Sequence, residues 1–364
     1  MSAQNSHTRW RRPLRDYAPF PMGSYSPVIM KEAAARKRDG AWRRGLGGRD
    51  PVPCGQADAS ARPGQPLDGC ASSRTPRRAP FSSSVNPSRV WLITGCSRGL
   101  GHALAVAALA RGDRVVTTAR NPLDLAALTA AHPDTCRALA LDVTSPTQVT
   151  ASVLAALEAF GGIDVLVNNA GAGLLGAIEE TDEAEIARCF EVNFLGALRV
   201  TRALLPHFRA RRGGQVVFVS AAAAIANYPG FGIYGAAKRA LEGAAESLAQ
   251  EGRPFGLRVT LVQPGPFRTG FIGASLAHVA APLPDYDTTR GKFARTLAAM
   301  DGRQPGDPAR AAAAILAAVD AERPPLRLVL GAYATDKARR TLTAAQRELE
   351  AWTPVAAATE FPTP

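Results

Sequence analysis

Tyr234 and Lys238 stand four residues apart in the stretch YGAAK, inside an alanine-rich segment with a helical pattern. At this spacing the two side chains share one face of a helix. A lysine ammonium beside a phenol favours the ionised phenol and lowers its pKa from about 10. Tyr234 would then exchange a proton with a substrate oxygen near neutral pH. On an isolated helix, the same pair would be a surface tyrosine and a solvated lysine.

A glycine-rich turn, LITGCSRGLG at 92–101, follows a short apolar run and precedes a helical pattern. Gly95 and Gly99 let the backbone turn tightly and approach a pyrophosphate, and Gly101 lets helix and strand pack closely. The helix N-terminus adds free N–H groups and a favourable dipole. The turn predicts a dinucleotide phosphate site, with an ordinary strand-helix turn as the alternative. The candidate residues are Gly95, Ser97, Arg98, Gly99, Leu100 and Gly101.

The tip of the second predicted strand favours a phosphorylated ribose. A ribose with free hydroxyls is usually held by a carboxylate about twenty residues after the glycines, but Ala119 and Arg120 stand there. Arg120 and Arg98 can instead bind a 2′-phosphate through charge-assisted hydrogen bonds. The pair predicts NADP(H) in preference to NAD(H). The alternative is that both arginines are simply solvated.

Turn residues follow the next two predicted strands. Asp142 and Val143 end the third, and Asn169, Ala170 and Gly171 end the fourth. In such a turn an asparagine side chain can hydrogen-bond to the backbone, and Gly171 permits close approach to a ligand. These five residues are therefore further candidates for cofactor binding.

The chain from Arg89 onwards alternates short apolar runs with alanine-rich helical stretches, which is typical of βαβ units. Strands are predicted at 90–94, 114–118, 138–141, 164–167, 215–219 and 258–262. Helices are predicted near 101–111, 122–131, 146–160, 182–211 and 234–252. Six strands with right-handed crossovers predict an α/β fold, a Rossmann doubly wound parallel sheet in three α/β/α layers. A ligand would bind at the C-terminal ends of these strands.

The chain after Gly265 loses this regularity. Residues 266–308 are irregular and are expected to cover the cofactor as a substrate lid. A helix near 308–321, a short strand at 326–330 and a charged helix near 335–351 follow. We therefore divide the chain into an N-terminal extension (1–88), a dinucleotide-binding and catalytic domain (89–275), and a C-terminal lid and helical extension of that domain (276–364).

The basic charge is concentrated in the N-terminal extension. The formal net charge is +12, and fifteen Lys/Arg against six Asp/Glu precede Arg89, so most of the excess lies there. A nearly balanced core argues against nucleic-acid binding by that core. The extension is rich in Arg, Pro, Gly and Ser and is predicted to be disordered. A transient basic helix at 31–44 and a translation start near 85–90 are open alternatives.

Cysteine and histidine usage indicates a cytoplasmic protein. Five cysteines are scattered without a Cys-x-x-Cys pair, and five histidines are dispersed, so neither a disulfide framework nor a metal site is predicted. No apolar run reaches the roughly eighteen residues of a membrane span. The residues after Arg11 and Arg12 lack the apolar region of an export signal.

Five motifs resemble the short-chain dehydrogenase/reductase family in order and spacing, over about residues 89–275. They are TGCSRGLG at 94–101, NNAG at 168–171, VNFLG at 192–196, YGAAK at 234–238 and PGPFRT at 264–269. The resemblance implies a Rossmann-fold oxidoreductase that moves a hydride between a nicotinamide and an alcohol or ketone. The stretch 228–251 is similar to the retinol- and steroid-dehydrogenase-like branch, which implies an apolar substrate.

The resemblance also assigns roles by position. Tyr234 would be the acid/base, and Lys238 would bind the nicotinamide ribose and tune Tyr234. Asn193 would hold the water of a proton relay, and Thr269 would contact the carboxamide of the cofactor. The cofactor would also contact the first two residues of the last motif, Pro264 and Gly265.

One position departs from the family pattern. The family's catalytic serine normally stands thirteen residues before the tyrosine, where this chain has Ala221, and Ser220 lies one position earlier. In a strand, adjacent side chains point to opposite faces. Losing one such hydrogen-bond donor typically costs about 3 kcal/mol of transition-state stabilisation. Three outcomes stay open: Ser220 serves as a catalytic residue after local rearrangement, the enzyme works slowly without it, or catalysis is lost.

The sequence thus favours an NADP(H)-dependent reductase that acts on the carbonyl group of a small-molecule substrate, or on the corresponding alcohol, with the pro-S hydride implied by the resemblance. The long helices 182–211 and 234–252 resemble those through which the family forms homodimers or homotetramers.

The alternative to the reductase function is an NADP(H)-binding Rossmann protein without turnover, acting as a sensor or scaffold. A third hypothesis, nucleic-acid binding through the basic extension, predicts salt-sensitive DNA binding that disappears when residues 1–88 are deleted.

Overall fold

The central element is a seven-stranded parallel sheet. Its strands are β1 (Val90–Ile93), β2 (Arg114–Ala119), β3 (Cys136–Ala140), β4 (Val165–Asn168), β6 (Gly214–Val219), β7 (Leu257–Pro264) and β9 (Arg327–Leu330). They lie in the order β3-β2-β1-β4-β6-β7-β9. A second, two-stranded sheet pairs β5 (Gly173–Leu175) with β8 (Leu276–His278). The computed structural model describes residues 88–361, so the predicted disordered extension lies outside them up to residue 87.

Helices cover both faces of the large sheet. They are α1 (Gly99–Ala110), α2 (Ala126–Ala131), α3 (Pro146–Phe160), α4 (Glu183–Phe190), α5 (Gly196–Arg211), α6 (Ala222–Ile225), α7 (Gly232–Glu251), α8 (Phe271–Ala274), α9 (Lys292–Met300), α10 (Pro308–Asp320) and α11 (Ala332–Ala357). Helices α1 and α10 pack on one face of the sheet. Helices α3, α5 and α7 pack on the other, which completes three layers.

Strand β1 shows why these apolar runs form buried strands. Trp91 and Ile93 belong to the core cluster beneath α1 and α10, and Val90 and Leu92 belong to the cluster beneath α3, α5 and α7. All four side chains are buried. Because alternate residues of a strand point to opposite faces, a strand covered on both sides must be apolar at every position.

The predicted fold class is confirmed, and the six predicted strands are all present within two residues of their expected bounds. The apolar run predicted at 326–330 becomes β9, an edge strand that pairs with β7 in the register Leu261 to Arg327. The helix predicted at 182–211 is divided into α4 and α5 by a π-helical segment, Glu191–Leu195. The helix predicted at 122–131 begins with a 3₁₀ turn, Pro122–Leu125.

The irregular region after Gly265 contains more structure than its sequence predicts. It includes α8, β8, a 3₁₀ turn (Pro284–Tyr286), a π-helical turn (Asp287–Gly291) and α9. Strand β8 pairs in parallel with β5, which follows β4 in the chain. These short elements lie at the C-terminal end of the large sheet, beside the residues of the predicted site. None of the helices between residues 88 and 361 is both long enough and apolar enough to cross a bilayer.

Candidate active site

The glycine turn between β1 and α1 forms the floor of the site. Gly95 and Gly99 have φ angles of +70° and +66°, which side chains rarely tolerate. A Cβ atom at Gly101 would lie 2.6 Å from the Gly95 carbonyl oxygen and 2.3 Å from the Asn169 side-chain nitrogen. Gly101 therefore permits close packing behind the turn, as its position predicts, and the turn keeps its outer surface open to a ligand.

Asn169 and Ala170 fasten this turn to the end of β4. The Asn169 Nδ2 atom donates to the carbonyl oxygens of Thr94 (2.8 Å) and Gly95 (2.9 Å). In return, Thr94 Oγ1 accepts hydrogen bonds from the backbone nitrogens of Asn169 (2.9 Å) and Ala170 (3.0 Å). Thr94 is a site-building residue that was not among the candidates, although it opens the TGCSRGLG motif.

Arg98 and Arg120 both lie at the surface of the site. The Arg98 guanidinium donates to Ser275 Oγ at 3.0 Å, so it connects the glycine turn to the segment before β8. Arg120 follows β2 and lies near Asp142. The Thr144 N–H, and to a smaller extent the charge of Arg120, hold the pKa of the Asp142 carboxyl below its usual range. Asp142 is therefore an anion at neutral pH.

Asn193 lies in the π-helical segment between α4 and α5 and is buried. Its Nδ2 atom donates to the Ala172 carbonyl at 2.8 Å, and its Oδ1 atom accepts from the Ala172 N–H at 3.2 Å. A Cβ atom at Gly171 would lie 3.0 Å from Asn193 Oδ1 and 3.3 Å from Lys238 Nζ. The extra residue of the π-helical segment thus turns Asn193 towards the loop after β4, close to Lys238.

Tyr234 and Lys238 occupy the buried face of α7, as their spacing predicts. Lys238 Nζ donates to the Val219 carbonyl at 2.9 Å and lies 5.9 Å from the Tyr234 ring centroid. Burial raises the pKa of the Tyr234 phenol above its ordinary value, and the nearby Cys189 adds to this. Burial also lowers the pKa of Lys238 to about 8.

The expected lowering of the Tyr234 pKa is therefore wrong for this arrangement. The reason is that burial removes the water that would stabilise the phenolate, while the Lys238 ammonium lies 5.9 Å from the ring centroid and directs its hydrogen bond to the Val219 carbonyl. The phenol consequently stays protonated at neutral pH. A protonated phenol at this position is able to donate its proton to a substrate oxygen.

Ser220 and Ala221 follow β6 and lie in different surroundings. Ser220 Oγ donates to Glu242 Oε1 at 2.5 Å and is buried. Ala221 packs in the apolar cluster that contains Phe231 and Tyr234. The assignment of Ser220 as a catalytic residue is therefore not supported, because its hydroxyl is directed to Glu242. Ala221 contributes only a methyl group to the apolar cluster that contains Tyr234.

The PGPFRT segment after β7 packs against the glycine turn. A Cβ atom at Gly99 would lie 3.4 Å from the Thr269 Cβ atom. A Cβ atom at Gly265 would lie 3.3 Å from the methyl group of Ala334 in α11, so this glycine permits close packing of that helix. The segment thus brings Thr269 beside the turn and Pro264 and Gly265 to the same cleft.

These residues line one cleft of about 930 Å³ at the C-terminal ends of the strands. All the candidate residues except Gly101 border it, and Gly101 lies behind the turn. They are Gly95, Ser97, Arg98, Gly99, Leu100, Arg120, Asp142, Val143, Asn169, Ala170, Gly171, Asn193, Ser220, Tyr234, Lys238, Pro264, Gly265 and Thr269.

An aromatic wall, defined here as Tyr228, Phe231, Phe271 and Phe293, forms the other part of the cleft. The Phe231 ring lies 5.2 Å from the Tyr234 ring and 5.0 Å from the Phe293 ring. Tyr228 stacks on Phe293 with the ring planes 8° apart. None of these residues was a candidate, because they come from separate segments whose meeting depends on the tertiary fold. The wall makes the space beside Tyr234 apolar.

The cleft fits a nicotinamide dinucleotide. Its glycine turn has positive φ angles at Gly95 and Gly99 and lies at the N-terminus of α1, Arg98 lies in this turn, and Arg120 lies at the end of β2. Lys238 and Asn193 lie deeper, beside Tyr234. Hydrogen-bond donors and apolar surface are thus arranged for a polar cofactor next to an apolar substrate.

Known proteins are similar to this chain in sequence. A family model described as short chain dehydrogenase matches residues 89–279. Oxidoreductase BOA17 of Botryotinia fuckeliana is 36% identical over 265 residues, which cover 72% of this chain and 96% of that protein. The 3-ketodihydrosphingosine reductase of Bacteroides thetaiotaomicron is 33% identical, covering 67% and 88%. Retinol dehydrogenase 8 of Homo sapiens is 37% identical, covering 66% and 80%.

Solved structures of similar proteins share the fold. A short-chain dehydrogenase from Streptomyces avermitilis is 42% identical with a TM-score of 0.71, covering 77% of this chain and all of that one. An alcohol dehydrogenase from Thermococcus sibiricus, complexed with 5-hydroxy-NADP, is 26% identical with a TM-score of 0.55, covering 67% and 96%. A Burkholderia phymatum enzyme in complex with NAD is 25% identical with a TM-score of 0.60, covering 76% and 97%.

The expected resemblance is therefore confirmed. The family model extends over more than half of the chain, and the relatives match most of their own length. Similarity to retinol dehydrogenase 8 agrees with the branch expected from residues 228–251. The chain belongs to the short-chain dehydrogenase/reductase family of nicotinamide-dependent oxidoreductases, in its retinol-dehydrogenase-like branch.

Proposed function

We propose that the chain is an NADP(H)-dependent oxidoreductase that reduces the carbonyl group of an apolar substrate, or oxidises the corresponding alcohol. The observation that carries this proposal is the grouping of Tyr234, Lys238 and Asn193 in one cleft with the aromatic wall. Polar groups for proton transfer meet an apolar surface there. A ketone with a large hydrocarbon part would fit this combination.

Tyr234 acts as the proton donor in the direction of reduction. Its phenol is protonated at neutral pH because burial raises its pKa. A bound nicotinamide cofactor supplies the hydride in reduction and accepts it in oxidation. Lys238, held by the Val219 carbonyl, places a positive charge beside the phenol and stabilises the phenolate left after proton donation. Asn193 fixes the loop after β4 that borders Lys238.

The preference for NADP(H) rests on Arg98 and Arg120. Neither Ala119 nor Arg120 supplies the carboxylate that would bind a free ribose hydroxyl. Both residues are exposed and border the cleft, and the Arg98 guanidinium is hydrogen-bonded to Ser275. The Thermococcus sibiricus and Burkholderia phymatum enzymes were solved with 5-hydroxy-NADP and NAD respectively, so the family accommodates either nucleotide. Arg98 and Arg120 are the reason to favour NADP(H), which carries the 2′-phosphate.

The cofactor proposal is tested by titrating the protein with NADPH and NADH while following fluorescence. Arg120→Ala should weaken NADPH binding about ten- to a hundredfold, because charge-assisted hydrogen bonds contribute about 1.5–3 kcal/mol. NADH binding should change little. Arg114→Ala, at the opposite end of β2, is the matched control. An equal loss of affinity for NADPH and for NADH in Arg120→Ala would contradict a contact between Arg120 and the 2′-phosphate.

A second candidate function follows from Ala221. With a methyl group beside Tyr234 and the Ser220 hydroxyl directed to Glu242, the site lacks the usual serine donor. A protein that binds NADP(H) without turnover, as a sensor or scaffold, would tolerate this loss. Measuring NADPH oxidation with a panel of apolar ketones and aldehydes separates the two functions, since only the enzyme consumes NADPH.

We further propose that residues 276–364 are a lid and extension of the same domain as residues 89–275, because β8 pairs with β5 and β9 pairs with β7. A cytoplasmic location and a homodimer or homotetramer complete the proposal. They rest on the scattered cysteines and on the family resemblance.

A further inference from the structure

A buried carboxylate, Glu242, lies one helical turn after Lys238 on the same face of α7. Only 7% of the residue is exposed. Its Oε1 atom accepts hydrogen bonds from Ser220 Oγ at 2.5 Å and from Gln263 Nε2 at 2.8 Å. Its Oε2 atom lies 3.0 Å from the same Gln263 nitrogen and 4.0 Å from Arg327 Nε. The proposed reaction has so far given this group no role.

The hydrogen bonds around Glu242 all use its carboxyl oxygens as acceptors. Ser220 and Gln263 both direct donor groups towards it. Within residues 88–361, Gln263 Oε1 is left without a hydrogen-bond partner while its amide nitrogen serves the carboxylate. A buried amide that is oriented in this way indicates an acceptor-only neighbour, which is what a carboxylate anion is.

Glu242 also connects the strand ends that support Lys238. Ser220 directly follows β6, whose last residue, Val219, accepts the hydrogen bond of Lys238. Gln263 lies next to the end of β7. One carboxylate thus joins α7 to the ends of two neighbouring strands, one helical turn after Lys238. This explains the position of the Ser220 hydroxyl, which serves Glu242.

We propose that Glu242 is a positioning residue of the reaction, whose negative charge keeps Lys238 protonated inside the buried site. This inference rests on the proposed function. The titratable groups that face Lys238 are Tyr234 and Glu242 on α7 and Cys189 on α4, and the charged group that faces Glu242 from another element is Arg327 on β9. Burial lowers the pKa of Lys238, and Cys189 and Glu242 oppose that shift.

The direction of the pH effect follows from the opposing influences of burial and of Glu242 on the pKa of Lys238. Lys238 carries its charge below its pKa of about 8 and loses it above that pH. Removing the Glu242 charge lowers the pKa further, because nearby opposite charges favour the charged form. The ammonium is then lost at a lower pH. Activity and NADPH binding that depend on protonated Lys238 must decline earlier as the pH rises.

The test is the pH profile of kcat/KM for NADPH-dependent carbonyl reduction by Glu242→Gln, with the pH dependence of the NADPH Kd as a second readout. Glutamine keeps the size of the side chain and an acceptor for Ser220 but removes the charge. The alkaline limb of both profiles should move down by about one pH unit or more. Glu246→Gln is the matched control, because Glu246 lies one turn further along α7, is partly exposed and pairs with Arg327.

Each outcome decides the proposal. Suppose that Glu242→Gln loses kcat/KM equally at every pH and the alkaline limb of each profile stays at its original pH. This result would overturn the proposal, because Glu242 would then have only a structural role. A limb that moves equally in Glu246→Gln would also overturn it. If Glu242→Gln does not fold, Glu242→Asp is tested in its place. Aspartate is shorter by one methylene, so its charge lies further from Lys238. The alkaline limb must then move in the same direction as in Glu242→Gln, but by a smaller amount.

Failure of the proposed function gives a different result. If the unaltered chain consumes no NADPH with any carbonyl, the reductase proposal fails, and the NADPH Kd profile still tests Glu242. A shifted binding limb in Glu242→Gln then supports the Glu242–Lys238 coupling without catalysis. An unshifted binding limb rejects the coupling on its own.

Discussion

Ser220 and Ala221 are neighbours in the chain, yet their side chains serve different parts of the molecule. The Ser220 hydroxyl binds the buried Glu242, and the Ala221 methyl packs beside Phe231 and Tyr234. The hydroxyl that the family normally offers to the substrate is absent from this side of the site. In the proposed reaction, we expect Tyr234 to polarise the substrate oxygen without a second hydroxyl donor, with its proton retained because burial raises the phenol pKa.

Ala221→Ser should increase kcat for carbonyl reduction by about a hundredfold, because one well-placed donor to a developing oxyanion is worth about that much. Steady-state NADPH consumption with apolar ketones measures the effect. Ala222→Ser, one residue further and outside the apolar cluster with Tyr234, is the control and should change little. No turnover in either the unaltered chain or Ala221→Ser, with NADPH still bound, would favour the binding protein without activity.

Among the elements, those with strong local signals were predictable from the sequence. Valine-rich runs such as 115–117 and 216–219 predict buried strands, and the glycine turn and Tyr234–Lys238 spacing predict the polar part of the site. Strands β5 and β8 were not predictable, because each has three residues and forms only when the two distant segments pair. The aromatic wall was missed for the same reason, since Tyr228 and Phe293 are far apart in sequence.

Helix α9, which carries Phe293, is fastened by an ion pair at its start. Arg290 Nη2 and Nε donate to the two carboxylate oxygens of Glu180 at 2.6 and 3.0 Å. Glu180 also accepts from the backbone nitrogens of Ala177 (2.7 Å) and Leu283 (2.8 Å). Hydrogen bonding from Arg290 holds the pKa of the Glu180 carboxyl below its usual range. The paired form is therefore complete at neutral pH and is lost only as the pH falls through this lowered pKa.

Glu180→Gln should raise the KM for the carbonyl substrate about tenfold or more and leave the NADPH Kd unchanged. The reason is that Arg290 loses its charged partner, which weakens the attachment of α9 and its part of the aromatic wall by about 1.5–3 kcal/mol. Initial rates at varied ketone concentration measure the change. Asp287→Asn, which removes an exposed ion pair with Arg295 in the same region, should have little effect. An unchanged KM in Glu180→Gln would reject this role.

At the scale of the whole molecule, the basic charge and the catalytic machinery lie in different parts of the chain. The segment before Arg89 holds most of the net charge of +12, and the proposed site lies entirely between residues 95 and 333. Deleting residues 1–87 should therefore leave NADPH binding unchanged.

Large apolar side chains are exposed on α11, among them Leu342, Leu349 and Trp352. Exposed apolar surface of this kind is typical of contact sites between proteins.

We expect the chain to form a homodimer or homotetramer, as the family resemblance implies for helices equivalent to α5 and α7. Sedimentation equilibrium should give a mass of two or four chains of 38.2 kDa. A concentration series is the internal control, because a specific oligomer keeps its mass over a range of dilution. A mass equal to one chain at all concentrations would contradict the expectation.

The central claim is that Tyr234 donates a proton to a carbonyl oxygen during NADPH-dependent reduction. The most direct measurement compares NADPH oxidation by the unaltered chain and by Tyr234→Phe, over one panel of apolar ketones and aldehydes, with NADPH affinity measured on both. We predict that both proteins bind NADPH equally and that Tyr234→Phe loses about 10²- to 10⁴-fold in turnover. Equal turnover by the two proteins, or tight NADPH binding without oxidation by either, would contradict the account.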